Sequence, residues 1–191
     1  MKKAVFLDRD GTVSREVGYV NHEGRLRLLP GSAAAIRRLN NAGLPAVLVT
    51  NQAGVARGYF EEPLVHVVHR RLEQLLDEEA GARLDGVYFC PHHPDVGEPP
   101  WRQDCDCRKP RPGMLRRAAA DLGLDLGASY LVSDHIKDVS MAMTEGLTGI
   151  MVRTGYGAGL LEYHAHKWDR RPHHVTADLA AAVDLILELE R

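Results

Sequence analysis

The chain is short of cysteine, with three in 191 residues, an odd number confined to positions 90–107. That excludes a secreted disulfide framework as the source of stability, and the tight clustering points to metal instead. No run of about 18 apolar residues occurs, so no transmembrane helix is expected. The apolar start Ala4-Val5-Phe6-Leu7 is cut off by Asp8, Arg9 and Asp10, too soon for a signal peptide, and a cytoplasmic location is expected. There is no charge excess of either sign: 24 Lys plus Arg against 26 Asp plus Glu leave a net −2. A nucleic-acid protein relying on bulk positive charge is thereby disfavoured, whereas a local basic pocket for a phosphorylated small molecule is not. No repeat, low-complexity tract or interdomain linker is visible, so one domain over residues 1–191 is expected.

What is there reads as α/β. Hydrophobic residues make up 45 % and charged residues 26 %, the balance of a chain that folds around a core of its own. Apolar runs at Lys3–Leu7, Leu44–Val49, Gly86–Phe89, Tyr130–Val132 and Gly149–Val152 predict strands. Between them, helical spacing predicts helices over Ser32–Asn41, from Pro63 to Gly81, over Met114–Leu122 and over Asp138–Glu145, with a last one over Ala177–Leu189. Gly155–Gly159 reads as a glycine-rich turn, and His66 and His69 read as the polar side of their helix. Four further histidines, 164, 166, 173 and 174, have irregular spacing and read as an exposed tail. Strand–helix alternation implies a Rossmann-like, mostly parallel sheet with helices on both faces and a ligand site beyond the carboxyl ends of the strands. Residues 91–113 hold six of the ten prolines and no apolar periodicity. Such a loop is functional or is held by something other than a core.

Three strand ends carry chemistry. The first runs into Asp8-Arg9-Asp10-Gly11-Thr12. Two carboxylates this close repel unless a cation lies between them, and Mg²⁺ suits a site of one or two carboxylates plus a phosphate. The second delivers Thr50, Asn51 and Gln52, neutral donors for phosphate oxygens; the third ends in Ser133-Asp134, followed by Asp138. Asp134 completes a cation site with Asp8, or else caps a helix. The loop segment Arg108-Lys109-Pro110-Arg111 supplies cations to a phosphate, Arg as a fork and Lys as a point charge. Cys90-Pro91-His92-His93 and Cys105-Asp106-Cys107 offer three thiolates and an imidazole, the ligand set of a tetrahedral structural zinc. The pattern alone does not separate His92 from His93.

In order and spacing, Asp8-x-Asp10-Gly11-Thr12, Thr50, Lys109 and Asp134/Asp138 resemble the four motifs of the haloacid dehalogenase-like phosphatases. The resemblance implies Asp8 as a nucleophile that forms an aspartyl-phosphate and Asp10 as general acid/base. It implies Thr50 and Lys109 as phosphate-charge stabilisers, Asp8, Asp10 and Asp134 as Mg²⁺ ligands, and Asp138 as a partner of Lys109. The cysteine segments, with Gly18-Tyr19-Val20, Thr50 to Gly58 and Val152-Arg153-Thr154-Gly155, are similar to one branch of that superfamily. It contains heptose bisphosphate phosphatases of surface-polysaccharide precursor synthesis and histidinol-phosphate phosphatases. The branch implies Zn²⁺ on Cys90, His92, Cys105 and Cys107 in a loop of about 90–109, and the small size, with no large insertion, implies no large cap domain. A sugar bisphosphate would need basic groups beyond the metal site, for which Arg57 and Arg108 are the candidates, with Asn51 as a further substrate contact. The loops Glu16–Val20 and Gly54–Tyr59 are expected beside the substrate. A monomer acting on a phosphorylated sugar, without nucleic-acid or membrane partner, is expected. The alternatives are histidinol phosphate as substrate and a catalytically idle, zinc-stapled binding module.

Overall fold

A computed structural model describes residues 2–191. Six strands form one sheet in the order β3-β2-β1-β4-β5-β6: β1 Val5–Leu7, β2 Ala46–Asn51, β3 Gly86–Cys90, β4 Tyr130–Ser133, β5 Thr148–Val152 and β6 His174–Thr176. Every pairing is parallel. The helices are α1 Ser32–Asn41, α2 Glu62–Ala80, α3 Gly113–Leu122, α4 Ile136–Thr144, α5 Gly157–Tyr163 and α6 Leu179–Leu189.

Alternation along each strand feeds two cores. Val5, Leu7, Leu48, Val132 and Ile150 point to the side covered by α1, α2 and α6, while Phe6, Val47, Val49, Leu131 and Met151 point to the side of α3 and α4. Each fully buried Leu, Val or Phe contributes roughly 1.5–3 kcal/mol, and both faces are apolar, as a parallel sheet requires. Strand order reverses on either side of β1, so the crevice at the carboxyl ends of β1, β2 and β4 is where this topology binds ligands.

The regular elements follow the local sequence. Helix α2 starts with Pro63 in its first turn and stops at Gly81, which takes the left-handed φ of 61°. Helix α6 starts at Asp178, whose carboxylate accepts from the Ala181 N–H at 2.9 Å. Three readings need correction. Tyr156 closes a turn, but from Gly157 the expected glycine turn is the helix α5. A Cβ on Gly157 would lie 1.8 Å from the Val152 carbonyl oxygen, so glycine there permits close packing rather than a loop. The supposed histidine tail contains β6: His173 donates its N–H to the Gly149 carbonyl at 3.0 Å, and its Nδ1 accepts from the Gly149 N–H. A three-residue polar edge strand leaves no apolar run to read. Finally, His69 is buried on α2, not on its polar side. Among the described residues no helix is long and apolar enough to cross a membrane.

Candidate active site

A cavity of about 440 Å³ opens at the carboxyl ends of β1, β2 and β4, lined by Asp8, Asp10, Thr50, Arg108, Lys109 and Asp134, with Glu16, Gly18, Asn51, His135, Lys137 and Tyr156 around them. Asp8 follows β1, Thr50 and Asn51 end β2, and Asp134 follows β4, so three adjacent strands aim polar groups at one point. Lys109 arrives from the irregular loop instead.

Asp8 Oδ1 is held by the Arg9 N–H at 2.8 Å and by the Lys109 ammonium at 2.9 Å. Its Oδ2 has no protein partner among the described residues. Burial lifts the Asp8 carboxyl, Lys109 opposes, and Asp138 and Asp10 add to the rise, leaving it at about 6. Burial and then the Asp8 charge push Asp134 up to about 7, against the lowering effect of the Tyr156 N–H. That N–H reaches Asp134 Oδ2 at 2.8 Å, and the Asp134 N–H donates to Thr12 Oγ1 at 3.1 Å. A Cβ on Gly11 or Gly155 would stand 2.1 Å from Asp134 Oδ2. Both glycines also have positive φ, 80° and 54°, so glycine is required twice over for this carboxylate to lie beside Asp8. The Asp8 charge raises the proton affinity of Asp134, and each carboxylate has an oxygen with no protein partner among the described residues, an arrangement that suits a hard divalent cation.

Lys109 is buried between Asp138 Oδ2 at 2.6 Å and Asp8 Oδ1 at 2.9 Å, and it also donates to the Val49 carbonyl at 3.1 Å. Burial alone would lower the ammonium, but Asp138 and Asp8 outweigh it and hold it well above the ordinary lysine value. Asp138 is oriented in turn by Ser133, whose hydroxyl donates to the same Oδ2 at 3.1 Å.

Asn51, expected as a substrate contact, lines the cavity and has a second part. Its side chain clamps the Lys109 backbone from both sides, Oδ1 accepting from the N–H and Nδ2 donating to the carbonyl, both at 3.0 Å. Arg108 lines the cavity and donates to the His92 carbonyl at 3.1 Å. Arg57 does not line it: the side chain is exposed, with its guanidinium 3.3 Å from His93 Nε2. Of the two expected substrate loops, Glu16 and Gly18 reach the cavity and Gly54–Tyr59 does not.

The thiols and one imidazole converge. Ligand atoms of Cys90, His92, Cys105 and Cys107 all lie within 4.8 Å of one another. The sulfurs are 2.9–3.5 Å apart and His92 Nδ1 is 3.4 Å from Cys107 Sγ. All three cysteines are free thiols. The hydrogen bond between the Cys90 and Cys107 sulfurs chiefly brings Cys107 down to about 5, and the same bond and burial push Cys90 up. Three sulfurs and one nitrogen in so small a volume are the donor set of a closed tetrahedral zinc site. His92 rather than His93 joins it, stacked on Trp101 at 6.1 Å. Cys90 ends β3, and its carbonyl accepts from the Gln52 N–H at 2.7 Å, so the cluster is tied to the strand end beside Thr50.

Sequence reading missed a buried group behind the cavity. Arg9 is only 1 % exposed and contacts Asp10, Gln52 and His69. Its position between two acids was the one local signal; of its partners, Gln52 follows β2 and His69 lies on α2, both out of reach of any local pattern.

Comparisons with known proteins agree with this geometry. The family model described as "HAD-hyrolase-like" matches residues 106–182. A protein of Thermosynechococcus vestitus named D-glycero-D-manno-heptose-1,7-bisphosphate 7-phosphatase is 44 % identical over 97 % of this chain and 95 % of its own length. One of Escherichia coli K12, named D-glycero-beta-D-manno-heptose-1,7-bisphosphate 7-phosphatase, is 42 % identical over 80 % of each. Among solved structures, a D,D-heptose 1,7-bisphosphate phosphatase from B. bronchiseptica, complexed with magnesium and phosphate, superimposes with a TM-score of 0.85. It is 34 % identical, over 98 % of this chain and 99 % of that one.

Proposed function

The chain belongs to the D-glycero-D-manno-heptose-1,7-bisphosphate 7-phosphatase family of the HAD-like hydrolases, and from that membership we propose that it removes the 7-phosphate of D-glycero-D-manno-heptose 1,7-bisphosphate. The observation that carries the proposal is the convergence of Asp8, Asp134 and Lys109 on one cavity, with Asp8 Oδ2 left without a protein partner among the described residues.

The chemistry follows from the residues. Asp8 Oδ2 attacks phosphorus, the bond from phosphorus to the sugar oxygen breaks, and Asp10 gives that oxygen its proton. Asp10 then takes a proton from water, which attacks the aspartyl-phosphate at phosphorus and frees inorganic phosphate and Asp8. Splitting one displacement into two lowers each barrier, and a positioned acid/base contributes about 10²–10⁴-fold. The Lys109 ammonium and the Thr50 hydroxyl face charge on the transferred oxygens. Asp138 and the Asn51 clamp hold Lys109 in place. Mg²⁺, held by Asp8, Asp134 and the Asp10 backbone carbonyl, supplies charge neutralisation at the phosphoryl group. Zn²⁺ on Cys90, His92, Cys105 and Cys107 fixes the loop that leads directly into Arg108 and Lys109. Arg108 and Lys137 at the cavity rim receive the second phosphate, a group that histidinol phosphate lacks.

Phosphate release with Mg²⁺ from both anomers of the heptose bisphosphate, histidinol phosphate and sugar monophosphates tests the reading. The expected result is the highest kcat/KM on one bisphosphate anomer. A preference for histidinol phosphate overturns the substrate assignment.

A further inference from the structure

Behind the cavity runs a chain of hydrogen bonds whose direction has no freedom. A guanidinium has donors only. Arg9 Nη1 lies 3.3 Å from His69 Nε2, so that nitrogen accepts and the ring proton sits on Nδ1. Burial and the Arg9 charge bring His69 down to about 3, in keeping with a neutral, accepting ring. Arg9 Nη2 donates to Gln52 Oε1 at 3.0 Å and to Asp10 Oδ2 at 2.8 Å. With Oε1 committed, the Gln52 Nε2 donates to Thr50 Oγ1 at 3.0 Å and to Asp10 Oδ2 at 3.2 Å. The flipped amide would set its NH₂ against the guanidinium and its oxygen against the Asp10 carboxylate, so the network permits one orientation. Thr50 Oγ1 therefore receives a hydrogen. Among the described residues its own hydroxyl proton has no protein acceptor, and Thr50 lines the cavity.

We infer that Arg9, acting through the Gln52 carboxamide, sets Thr50 as a hydrogen-bond donor toward the group bound in the cavity. The accepting atom is a phosphoryl oxygen, which rests on the phosphatase reading above. Arg9 and Gln52 are positioning residues: neither needs to touch substrate, yet together they decide which way the Thr50 dipole points. The network exists to aim a donor before substrate arrives, so no reorientation is needed when charge develops on the phosphoryl group.

The test is a double-mutant cycle between Thr50→Val and Gln52→Glu, read in two ways. One readout is kcat for phosphate release from the heptose bisphosphate and p-nitrophenyl phosphate; the other is calorimetric affinity for inorganic phosphate with Mg²⁺. The introduced carboxylate only accepts, so Thr50 turns its proton away from the cavity. In the wild type, Thr50→Val lowers kcat about a hundredfold, as loss of one oriented donor does, and weakens phosphate binding. In the Gln52→Glu background the same change costs less than about threefold on both readouts. Thr50→Ser, which keeps the hydroxyl, restores most of the wild-type value. If Gln52→Glu fails to fold by circular dichroism, Gln52→Met replaces it, again with a smaller Thr50→Val effect than in the wild type. An equal cost in both backgrounds, or phosphate affinity indifferent to Thr50→Val, overturns the inference. A wild type that turns over neither substrate while the phosphate-binding cycle remains non-additive would sink the phosphatase reading and leave the inference standing.

Discussion

The two halves of the cavity are made rigid in different ways. Asp8, Thr50 and Asp134 stand at the ends of three adjacent parallel strands whose side chains are buried on both faces. Lys109 comes from a proline-rich loop that lies outside the sheet, held by a cluster of three thiols and one imidazole and by the Asn51 clamp. One half inherits its geometry from the hydrophobic core, the other from the convergence of three thiols and an imidazole and from two side-chain hydrogen bonds. The two halves meet at Lys109, whose ammonium reaches Asp8 at 2.9 Å, Asp138 at 2.6 Å and the Val49 carbonyl at 3.1 Å, so the loop keeps its catalytic charge in place only while those contacts hold.

The sharpest way to separate the halves is to remove the nucleophile without touching either scaffold. Asp8→Asn lowers kcat by at least about four orders of magnitude, with the far-UV circular dichroism spectrum unchanged and the proposed zinc retained. Near-wild-type turnover in that variant would contradict the covalent route. Opening the loop is the next largest effect. Cys107→Ser, or a chelator strong enough to strip the proposed zinc, is expected to lower kcat on the order of a hundredfold, because displacement by about 1 Å suffices for that. Amide hydrogen exchange should rise over residues 90–113 and stay slow in β1, β2 and β4; uniform loss of protection would show the two halves to be one unit.

Cutting the clamp alone is milder. Asn51→Ala removes two hydrogen bonds to the Lys109 backbone, each contributing about 0.5–1.5 kcal/mol. A roughly ten- to thirtyfold fall in kcat follows, whereas a rise in KM alone would return Asn51 to substrate binding.

The sheet-borne carboxylates also write a pH dependence into stability. Asp8 and Asp134 are raised from 3.8 to about 6 and about 7, so the folded state holds their protons more tightly than the unfolded chain does. Without divalent cation, stability is fullest below about pH 4 as far as these two groups are concerned, and it is lost as pH rises through about 7. The thermal midpoint should drop by several degrees across that window, and saturating Mg²⁺ should flatten the slope. A midpoint in chelator that rises from pH 5 to 7 would count against the burial that raises both carboxyls. The smallest effect belongs to Arg57→Ala: the side chain is exposed against His93, and kcat/KM should stay within about twofold.

Much of the core was legible because periodicity of two and of 3.6 survives wherever burial is continuous. Helix α1 has the bounds its pattern predicts, Ser32–Asn41. The strand starts and stops shift by a residue or two, because pairing rather than composition ends a strand. Helix α5 and strand β6 were hidden, one by glycines that serve close packing and the other by having only three residues at an edge. The thiol cluster was legible because metal ligands form a rare residue set with tight spacing, and the choice of His92 over His93 needed the fold.

By itself the sequence determined which atoms carry charge and where strands end. Asp8, Asp10, Thr50, Lys109, Asp134, the three cysteines and the His92-His93 pair were all readable as chemistry placed next to elements. Tertiary structure alone decided who holds whom. It buried Arg9 and turned His69 inward against it, made Asn51 a clamp, left Arg57 outside and gave the Gln52 amide its one orientation. The physical reason is that strand and helix patterns arise from contacts between near neighbours in the chain. The direction of a buried hydrogen bond depends instead on partners 43 and 60 residues away, brought into reach when the core closes.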